Sequence, residues 1–397
     1  MKYSDNTIEA FYALVRAGLW TDANDRHNHS YLEGVDWGEV YHLAQEQSLQ
    51  GLVLQGIELF KNHNDSDSPK HTVNIPQVLL LQWIGEVQII EQRNKEMNIF
   101  ISELIKKLRN EDVYAILVKG QGVAQCYNQP NWRSSGDVDL LLSKENYEKA
   151  KAFILPKGVL TEPEEAGKKH LAMQVGKWAV ELHGTLRVGL SKRVDRMLDK
   201  VLYDIFYGGQ VRSWTNGHTQ VFLPAANEDV VYVFAHILQH FYKGGIGLRQ
   251  ICDWCRLLWT YRDSLNHKLL EARIKEAGLM SEWKAFGAFA VEYMGMPVEA
   301  MPLLDGRCKK EDGRSEIDVN LRKKADKICE FILEVGNFGH NRDNSYFQKH
   351  SYFVQKCISA GRRVKDLCRH ATIFPVNSVR FFFGIMHNGI VSTLRGE

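Results

Sequence analysis

Two aspartates separated by one residue open a short apolar run and are the strongest candidates for chemistry in the chain. Asp137 and Asp139 begin the run DVDLLL, whose composition is typical of a buried strand. Because side chains alternate between the two faces of a strand, both carboxylates are expected to project from the same side. Neighbouring buried carboxylates repel each other unless a cation binds between them. The pair therefore predicts a divalent metal site, and Mg²⁺ or Mn²⁺ suits it because these ions bind carboxylate and phosphate oxygens.

A third carboxylate lies further along the chain, in the segment Trp178 to His183 (WAVELH). Alternation within this second predicted strand places its apolar residues on one face and Glu181 with His183 on the other. If the two strands are neighbours, Glu181 faces the aspartate pair, and three carboxylates on one sheet face suit two-metal phosphoryl transfer. An isolated Asp-x-Asp is more often a turn or surface feature. The apolar strand and the glycine turn before it are what favour a metal site.

Glycines and basic residues precede the aspartates at positions where a phosphate could bind. Lys119, Gly120 and Gly122 lie where a predicted strand, VYAILV, ends and a helix begins. Glycines there allow the backbone to approach a ligand, and the first turn of a helix has free N–H groups. Arg133 would add positive charge, and Gly136 ends the loop that leads into the aspartates. A plain tight turn with an exposed lysine explains the same residues equally well.

The segments that contain these residues resemble a known family. The stretch LVKGQGVAQCYNQPNWRSSGDVDLLL, followed by VELHGTL, resembles the uncharacterised nucleotidyltransferase family, type five, of the DNA polymerase β-like superfamily. The resemblance runs from about Val113 to Leu186, and His236 to Leu258 is similar to the helical region of that family. It implies transfer of an NMP from an NTP to a hydroxyl acceptor with release of pyrophosphate. The acceptor could be a small molecule, a sugar, a protein or an RNA end.

The resemblance also implies roles for individual residues. Asp137, Asp139 and Glu181 match the three carboxylates of the superfamily, and Glu181 would help bind the metal or deprotonate the acceptor hydroxyl. The Gly-Ser turn of the superfamily is replaced here by Lys119-Gly120-Gln121. This departure keeps an alternative open, in which the fold binds a nucleotide or a partner without catalysis.

Four polar residues of the later helical region are predicted to line the nucleotide cleft. His236 and His240 are four residues apart on one helix face, and Arg249 and Asp253 are four apart on the next helix and expected to pair. The resemblance implies that this region lies beside the active site, where it would contact the base or the acceptor. A metal site that uses both histidines with Asp253, and a purely structural role, are the alternatives.

Three further features have ordinary structural explanations. Cys252-x-x-Cys255 lies in an apolar helix without a second cysteine pair, so burial is favoured over a zinc or redox site. His170 and His183 could equally line the cleft or serve the structure. A basic run near the C-terminus could follow an RNA backbone, but a solvated helix face is the more frequent cause of such a run. Its members are Lys356, Arg362, Arg363, Lys365 and Arg369.

An α+β fold is needed to position these residues. Helix and strand patterns alternate over residues 96–225, which predicts a small mixed sheet backed by helices and forming the nucleotidyltransferase core. An N-terminal helical region is predicted over residues 1–95, and a mainly helical C-terminal region is predicted over residues 226–397. Strands are predicted at 113–118, 137–142, 171–175 and 177–182 with a strand end at 221–224, and helices at 144–154, 227–241 and 248–260.

Composition excludes several classes of function. Of the 397 residues, 44% are hydrophobic and 25% charged, and the net charge of +2 is too small to favour nucleic acid or a membrane surface by bulk electrostatics. Seven irregularly spaced cysteines indicate a reducing compartment rather than a disulfide framework. No apolar run approaches the roughly 18 residues that span a bilayer, and no signal peptide is recognisable. A cytoplasmic protein is expected.

Overall fold

Seven strands form one mixed sheet in the computed structural model, which describes residues 3–20, 32, 34–62, 74–162, 164, 169–304, 308–309, 315–339, 341 and 352–394. In chain order the strands are β1 (Ala115–Val118), β2 (Asp137–Leu142), β3 (Val159–Leu160), β4 (His170–Val175), β5 (Trp178–His183), β6 (Val211–Asn216) and β7 (Thr219–Pro224). Their order across the sheet is β3-β4-β5-β2-β1-β7-β6. β2 is parallel to β5 and β1 is parallel to β7, whereas the other neighbours are antiparallel.

Helices precede, interrupt and follow this sheet, so the α+β prediction is confirmed. They are α1 (Asp5–Leu19), α2 (Trp37–Glu46), α3 (Gln50–Asn62), α4 (Gln77–Asn110), α5 (Gly120–Ala124), α6 (Lys144–Ile154), α7 (Lys192–Tyr207), α8 (Ala226–Lys243), α9 (Leu248–Tyr261), α10 (His267–Ala277), α11 (Met280–Glu292), α12 (Val319–Val335), α13 (Tyr352–Ala371) and α14 (Pro375–Leu394). Two-residue strands β8 (Cys308–Lys309) and β9 (Ser315–Glu316) pair separately. Among the described residues, no helix is both long and apolar enough to cross a membrane.

The two faces of the sheet bury different partners. Val138, Leu140 and Leu142 of β2 belong to a core cluster with the C-terminal half of α4 and with α6. Leu141 of β2, on the opposite face, joins the larger cluster that contains α8, α9 and the N-terminal helices. Since Asp137 and Asp139 alternate with the first set, their carboxylates lie on the face towards α8 and α9.

One long helix links the N-terminal helices to the sheet. α4 has 34 residues, about 50 Å at 1.5 Å per residue. Its first half buries Trp83 and Val87 among α1–α3, and its second half buries Met97 and Leu104 against the sheet. The predicted boundary between residues 95 and 96 falls inside this helix, so the three-part division of the chain stays a prediction.

Several predicted elements are confirmed with small shifts, and two strands of the seven-stranded sheet, as well as the short β8 and β9, were missed. β1 begins at Ala115 because Asp112, with φ of 53°, turns the chain at the end of α4. β6 was not predicted because its sequence, VRSWTN, has no buried face. Its residues alternate between exposed and half-buried. β3 is too short to show alternation. α8 and α9 match the two helices predicted at 227–241 and 248–260.

The cysteines have the buried structural role that was favoured, whereas the role of the C-terminal basic run stays a prediction. Among the described residues, five cysteines are free, and burial raises the pKa of the Cys252 and Cys255 thiols. Arg363 and Lys365 are exposed on α13, which is compatible with a solvated helix face and with RNA binding alike. The side chain of Lys356 lies outside the described part of the chain.

Candidate functional site

Three carboxylates meet on one face of the sheet. The parallel register of β2 and β5 places Asp139 opposite Glu181 and Asp137 opposite Ala179. Oxygens of Asp137, Asp139 and Glu181 all lie within 4.8 Å of one another. The two strands are thus neighbours, which is the condition under which Glu181 was expected to face the aspartates, and the three side chains form a group that could hold a metal ion.

Asp139 is the most buried member of this trio and already carries two cationic or polar partners. Its side chain is 2% exposed, Lys119 Nζ lies 2.8 Å from its Oδ1, and His183 Nε2 lies 2.7 Å from the same oxygen. Burial alone would raise the pKa of Asp139, but the charge of Lys119 and the hydrogen bond from His183 bring it below its ordinary value. Asp139 therefore stays ionised inside the protein.

The other two carboxylates show how much negative charge the site holds. The charge of Asp139, and then burial, raise the pKa of Asp137. Burial also acts to raise the pKa of Glu181, but hydrogen bonds with His170 and His183 bring it well below the ordinary value. Repulsion thus persists between the aspartates despite Lys119, which is the condition that a divalent cation relieves. Carboxylate oxygens are also the ligands that Mg²⁺ and Mn²⁺ prefer.

The turn before α5 brings Lys119 to the carboxylates. Lys119 has φ of 55° and Gly120 has φ of 41°, both in the left-handed region that L side chains rarely adopt. Gly122 has a different reason, since a Cβ there would lie 2.9 Å from Leu223 Cδ2 of β7. Gly120 thus shapes the turn, whereas Gly122 lets α5 pack closely on the sheet. Gly136 is exposed, and nothing lies within 4 Å of where its Cβ would be.

Arg133 and Asp253 form a buried ion pair beside the site. Arg133 Nε donates to Asp253 Oδ1 at 2.7 Å and Nη2 donates to Oδ2 at 2.6 Å, while Tyr127 Oη donates to Oδ1 at 2.8 Å. The predicted pairing of Asp253 with Arg249 is wrong, because the planar guanidinium of Arg133 takes both oxygens. Arg133 Nη1 also donates to Ser135 Oγ at 2.7 Å, so this side chain holds its own loop.

Arg249 does not pair with Asp253, because Asp253 binds Arg133 instead. Its Nη1 donates to the carbonyl oxygen of Ser134 at 2.7 Å, and its Nε is buried without a hydrogen-bond partner among the described residues. Burial and the charge of Arg133 lower the pKa of Arg249, whereas the charges of Asp253 and Asp137 act to raise it. The guanidinium therefore retains an unused donor close to the carboxylates.

The two histidines of α8 face the same region. His236 Nε2 and His240 Nε2 are 3.1 Å apart. Burial, and then the charge of Lys119, lower the pKa of both imidazoles, that of His240 to about 4. Both are neutral near pH 7. Tyr232, which was not predicted, lies one turn earlier on α8 with its ring centroid 5.9 Å from Lys119 Nζ.

His170 and His183, for which two roles were equally open, both contact the site. Their Nε2 atoms lie 3.1 and 3.3 Å from Glu181 Oε2. The sequence signal for His183 was its position two residues after Glu181, on the same strand face. His170 could not be placed in this way, because its proximity depends on the register of β4 against β5.

Asn94 of α4 holds the loop that precedes the aspartates and was missed entirely. It is 1% exposed. Its Nδ2 donates to the carbonyl oxygens of Asn131 and Arg133, both at 2.7 Å, and its Oδ1 accepts from Gln121 Nε2 at 2.8 Å. One side chain therefore ties α4, α5 and the loop before β2 together.

Asn94→Ala is expected to lower the free energy of unfolding by about 2–4 kcal/mol, because it removes three hydrogen bonds in a largely buried region. Asn98→Ala, four residues along the same helix, removes a single 3.3 Å side-chain bond and is expected to cost less than about 1 kcal/mol. Urea denaturation followed by circular dichroism compares the two. Equal losses of unfolding free energy in both variants would contradict the conclusion that Asn94 ties α4, α5 and the loop before β2 together.

Comparison with known proteins gives one match. A family model described as "Uncharacterised nucleotidyltransferase" matches residues 33–295, which is more than half of the chain. No curated protein and no solved structure matches.

Proposed function

The chain belongs to the uncharacterised nucleotidyltransferase family, and from that premise we propose that it transfers an NMP from an NTP to a hydroxyl acceptor in a metal-dependent reaction. The observation that supports this most directly is the convergence of Asp137, Asp139 and Glu181 within 4.8 Å on one sheet face. General nucleotidyl transfer follows from the family. The metal dependence, the NTP donor and the hydroxyl acceptor are our own proposal.

The three carboxylates would hold Mg²⁺ or Mn²⁺. Such an ion, when bound, supplies positive charge to the phosphates and makes the acceptor hydroxyl more acidic. Between the two roles that the family resemblance implied for Glu181, the first is favoured. Its lowered pKa makes Glu181 a good ligand and a poor acceptor of the hydroxyl proton.

Lys119 and Arg249 would bind the triphosphate. Lys119 Nζ already lies beside the carboxylates, and Arg249 retains an unused N–H donor. Arg133 would act indirectly, because its guanidinium binds Asp253 and Ser135 and so positions the loop from which Asp137 emerges. In the reaction, the acceptor oxygen bonds to the α-phosphorus and the bond from that phosphorus to the β-phosphate oxygen breaks. Pyrophosphate leaves with the electron pair, and the proton of the acceptor hydroxyl passes to water.

His236 and His240 would line the same cleft. Both are neutral near pH 7, and His240 has a pKa of about 4. A neutral imidazole can accept or donate a hydrogen bond without adding charge, which suits contact with a base or an acceptor. Gly120 would let the backbone approach the phosphates.

A binding module without catalysis is the second candidate, and one observation favours it. Lys119 Nζ lies 2.8 Å from Asp139 Oδ1, so that a fixed cation already neutralises the carboxylate that should bind a metal. Such a module would bind nucleotide without a divalent ion. Isothermal titration of a non-hydrolysable NTP with and without Mg²⁺, followed by a pyrophosphate-release assay with cell extract as the source of acceptor, separates the two candidates. Binding that is independent of Mg²⁺, with no release, would support the module.

Lys119→Met is expected to change metal and nucleotide affinity in opposite directions. Without the competing ammonium, Mn²⁺ alone should bind about tenfold more tightly, whereas an NTP should bind about tenfold more weakly, each change equivalent to about 1.4 kcal/mol. Electron paramagnetic resonance measures free Mn²⁺, and calorimetry measures the nucleotide. Lys151→Met, which breaks the ion pair with Glu164 outside the site, is the matched control. Unchanged Mn²⁺ affinity in Lys119→Met would show that Lys119 does not compete for the site.

A further inference from the structure

A second set of side chains on the same sheet face has the composition of a transition-metal site. The antiparallel register of β4 and β5 places His170 directly opposite His183, and Glu181 lies two residues before His183 on the same strand face. His170, Glu181 and His183 each direct one ligand atom to a common region, and these atoms lie within 4.8 Å of one another. Two imidazoles and one carboxylate are a donor set that Mg²⁺ does not favour and Zn²⁺ does.

The distances fit a site of this kind. His170 Nε2 and His183 Nε2 lie 3.1 and 3.3 Å from the same oxygen, Glu181 Oε2. Ligand bonds of about 2.0–2.2 Å in tetrahedral geometry place neighbouring donor atoms about 3.3 Å apart. Both distances to Glu181 Oε2 therefore match the spacing of ligands around one ion, and the two Nε2 atoms lie within 4.8 Å of each other.

His183 connects this cluster to the three-carboxylate group. Its Nε2 lies 2.7 Å from Asp139 Oδ1 and 3.3 Å from Glu181 Oε2, so the same ring nitrogen faces both carboxylates. An ion bound to this nitrogen would take the place of its hydrogen bond to Asp139. Asp139 would keep Lys119 as its partner if His183 were withdrawn.

The surroundings indicate an open rather than a closed site. The side chains of His170, Glu181 and His183 are 35%, 29% and 11% exposed. A structural zinc site is closed by four protein ligands, whereas a site with three ligands keeps a position for water or another oxygen ligand. His170 is the most exposed of the three side chains, so solvent reaches this end of the cluster.

We propose that His170, Glu181 and His183 form a binding site for Zn²⁺ or a similar transition-metal ion, distinct from the three-carboxylate site and sharing Glu181 with it. The ion binds through both Nε2 atoms and Glu181 Oε2, with its fourth position open. Metal binding at this site does not require nucleotidyl transfer, so it can be measured without nucleotide or acceptor.

Cobalt substitution tests the site in the full-length chain without an affinity tag. Titration with Co²⁺ should give visible absorption bands that saturate at one ion per chain and disappear when Zn²⁺ is added. His170→Gln should weaken Co²⁺ binding by at least about a hundredfold, because a direct ligand matters at least as much as the groups that orient it. His218→Gln, at an exposed turn, should bind Co²⁺ like the unaltered chain.

Two more variants separate this site from its neighbours. His236→Gln removes one of two helix histidines that could bind the ion instead, and Asp137→Asn removes a ligand of the carboxylate site alone. Both should retain Co²⁺ binding, whereas Asp137→Asn should lose Mn²⁺ binding. Absence of Co²⁺ binding in the unaltered chain, equal binding in His170→Gln, or loss of binding in His236→Gln would overturn the proposal. Mg²⁺-dependent pyrophosphate release by Asp137→Asn at the full rate would instead overturn the proposed function.

Discussion

Asp139→Asn is expected to reduce the rate of NTP-dependent pyrophosphate release by about a thousandfold or more, which corresponds to about 4 kcal/mol of lost transition-state stabilisation. Asp139 is the carboxylate that faces both Asp137 and Glu181, and its lowered pKa keeps it charged. The amide oxygen of asparagine can still accept hydrogen bonds from Lys119 and His183. The fold should therefore survive while the negative charge that binds the metal is lost.

Three measurements on this variant separate loss of chemistry from loss of structure. Circular dichroism and thermal unfolding should match the unaltered chain closely. Mn²⁺ binding, followed by electron paramagnetic resonance, should weaken in parallel with the rate. Asp199→Asn alters an exposed carboxylate paired with Arg187 and should leave both rate and Mn²⁺ binding unchanged. An Asp139→Asn protein that releases pyrophosphate at the full rate would remove Asp139 from the catalytic site.

Asp253→Leu is expected to lower the free energy of unfolding by about 3–5 kcal/mol, because it leaves the charge of Arg133 buried without its partner. The side chains of Arg133 and Asp253 are only 6% and 8% exposed, so water cannot replace the lost carboxylate. Tyr127 also loses the oxygen to which it donates. Urea denaturation followed by circular dichroism measures the change in midpoint and slope.

The double variant Arg133→Met with Asp253→Leu should regain most of the lost stability, since neither charge is then buried. Asp199→Leu breaks the exposed pair with Arg187 and should cost less than about 1 kcal/mol. If Asp253→Leu costs no more than Asp199→Leu, the pair is not the main anchor of the loop before β2. The activity of the double variant tests whether the ion pair is needed to position Asp137. Asp137 directly follows the loop that contains Arg133.

Local patterns in the sequence were sufficient to assign the faces of two strands. Alternation along DVDLLL and WAVELH separated the carboxylates from the apolar residues, and the structure confirms both strands. Their parallel pairing was not predicted. The same kind of reasoning located α8 and α9, because their apolar residues repeat with the period of a helix. These features depend on residues that are neighbours along the chain.

Contacts between distant segments were decided by the tertiary structure alone. Spacing of four residues allowed Arg249 to pair with Asp253, but Arg133, brought in by the loop before β2, binds both carboxylate oxygens instead. Asn94, predicted only as part of a helix, reaches two backbone carbonyls of that loop.

The aspartate pair could thus be predicted from the sequence, whereas the residues that surround it in the folded protein could not. Periodicity predicts which side chains share a face, because that depends only on the backbone of one strand. The position of His170 opposite His183, and of Lys119 against Asp139, depends on strand register and on a turn with left-handed backbone angles. Register and partner choice are set by packing across the whole core, so they emerge only when the chain is folded.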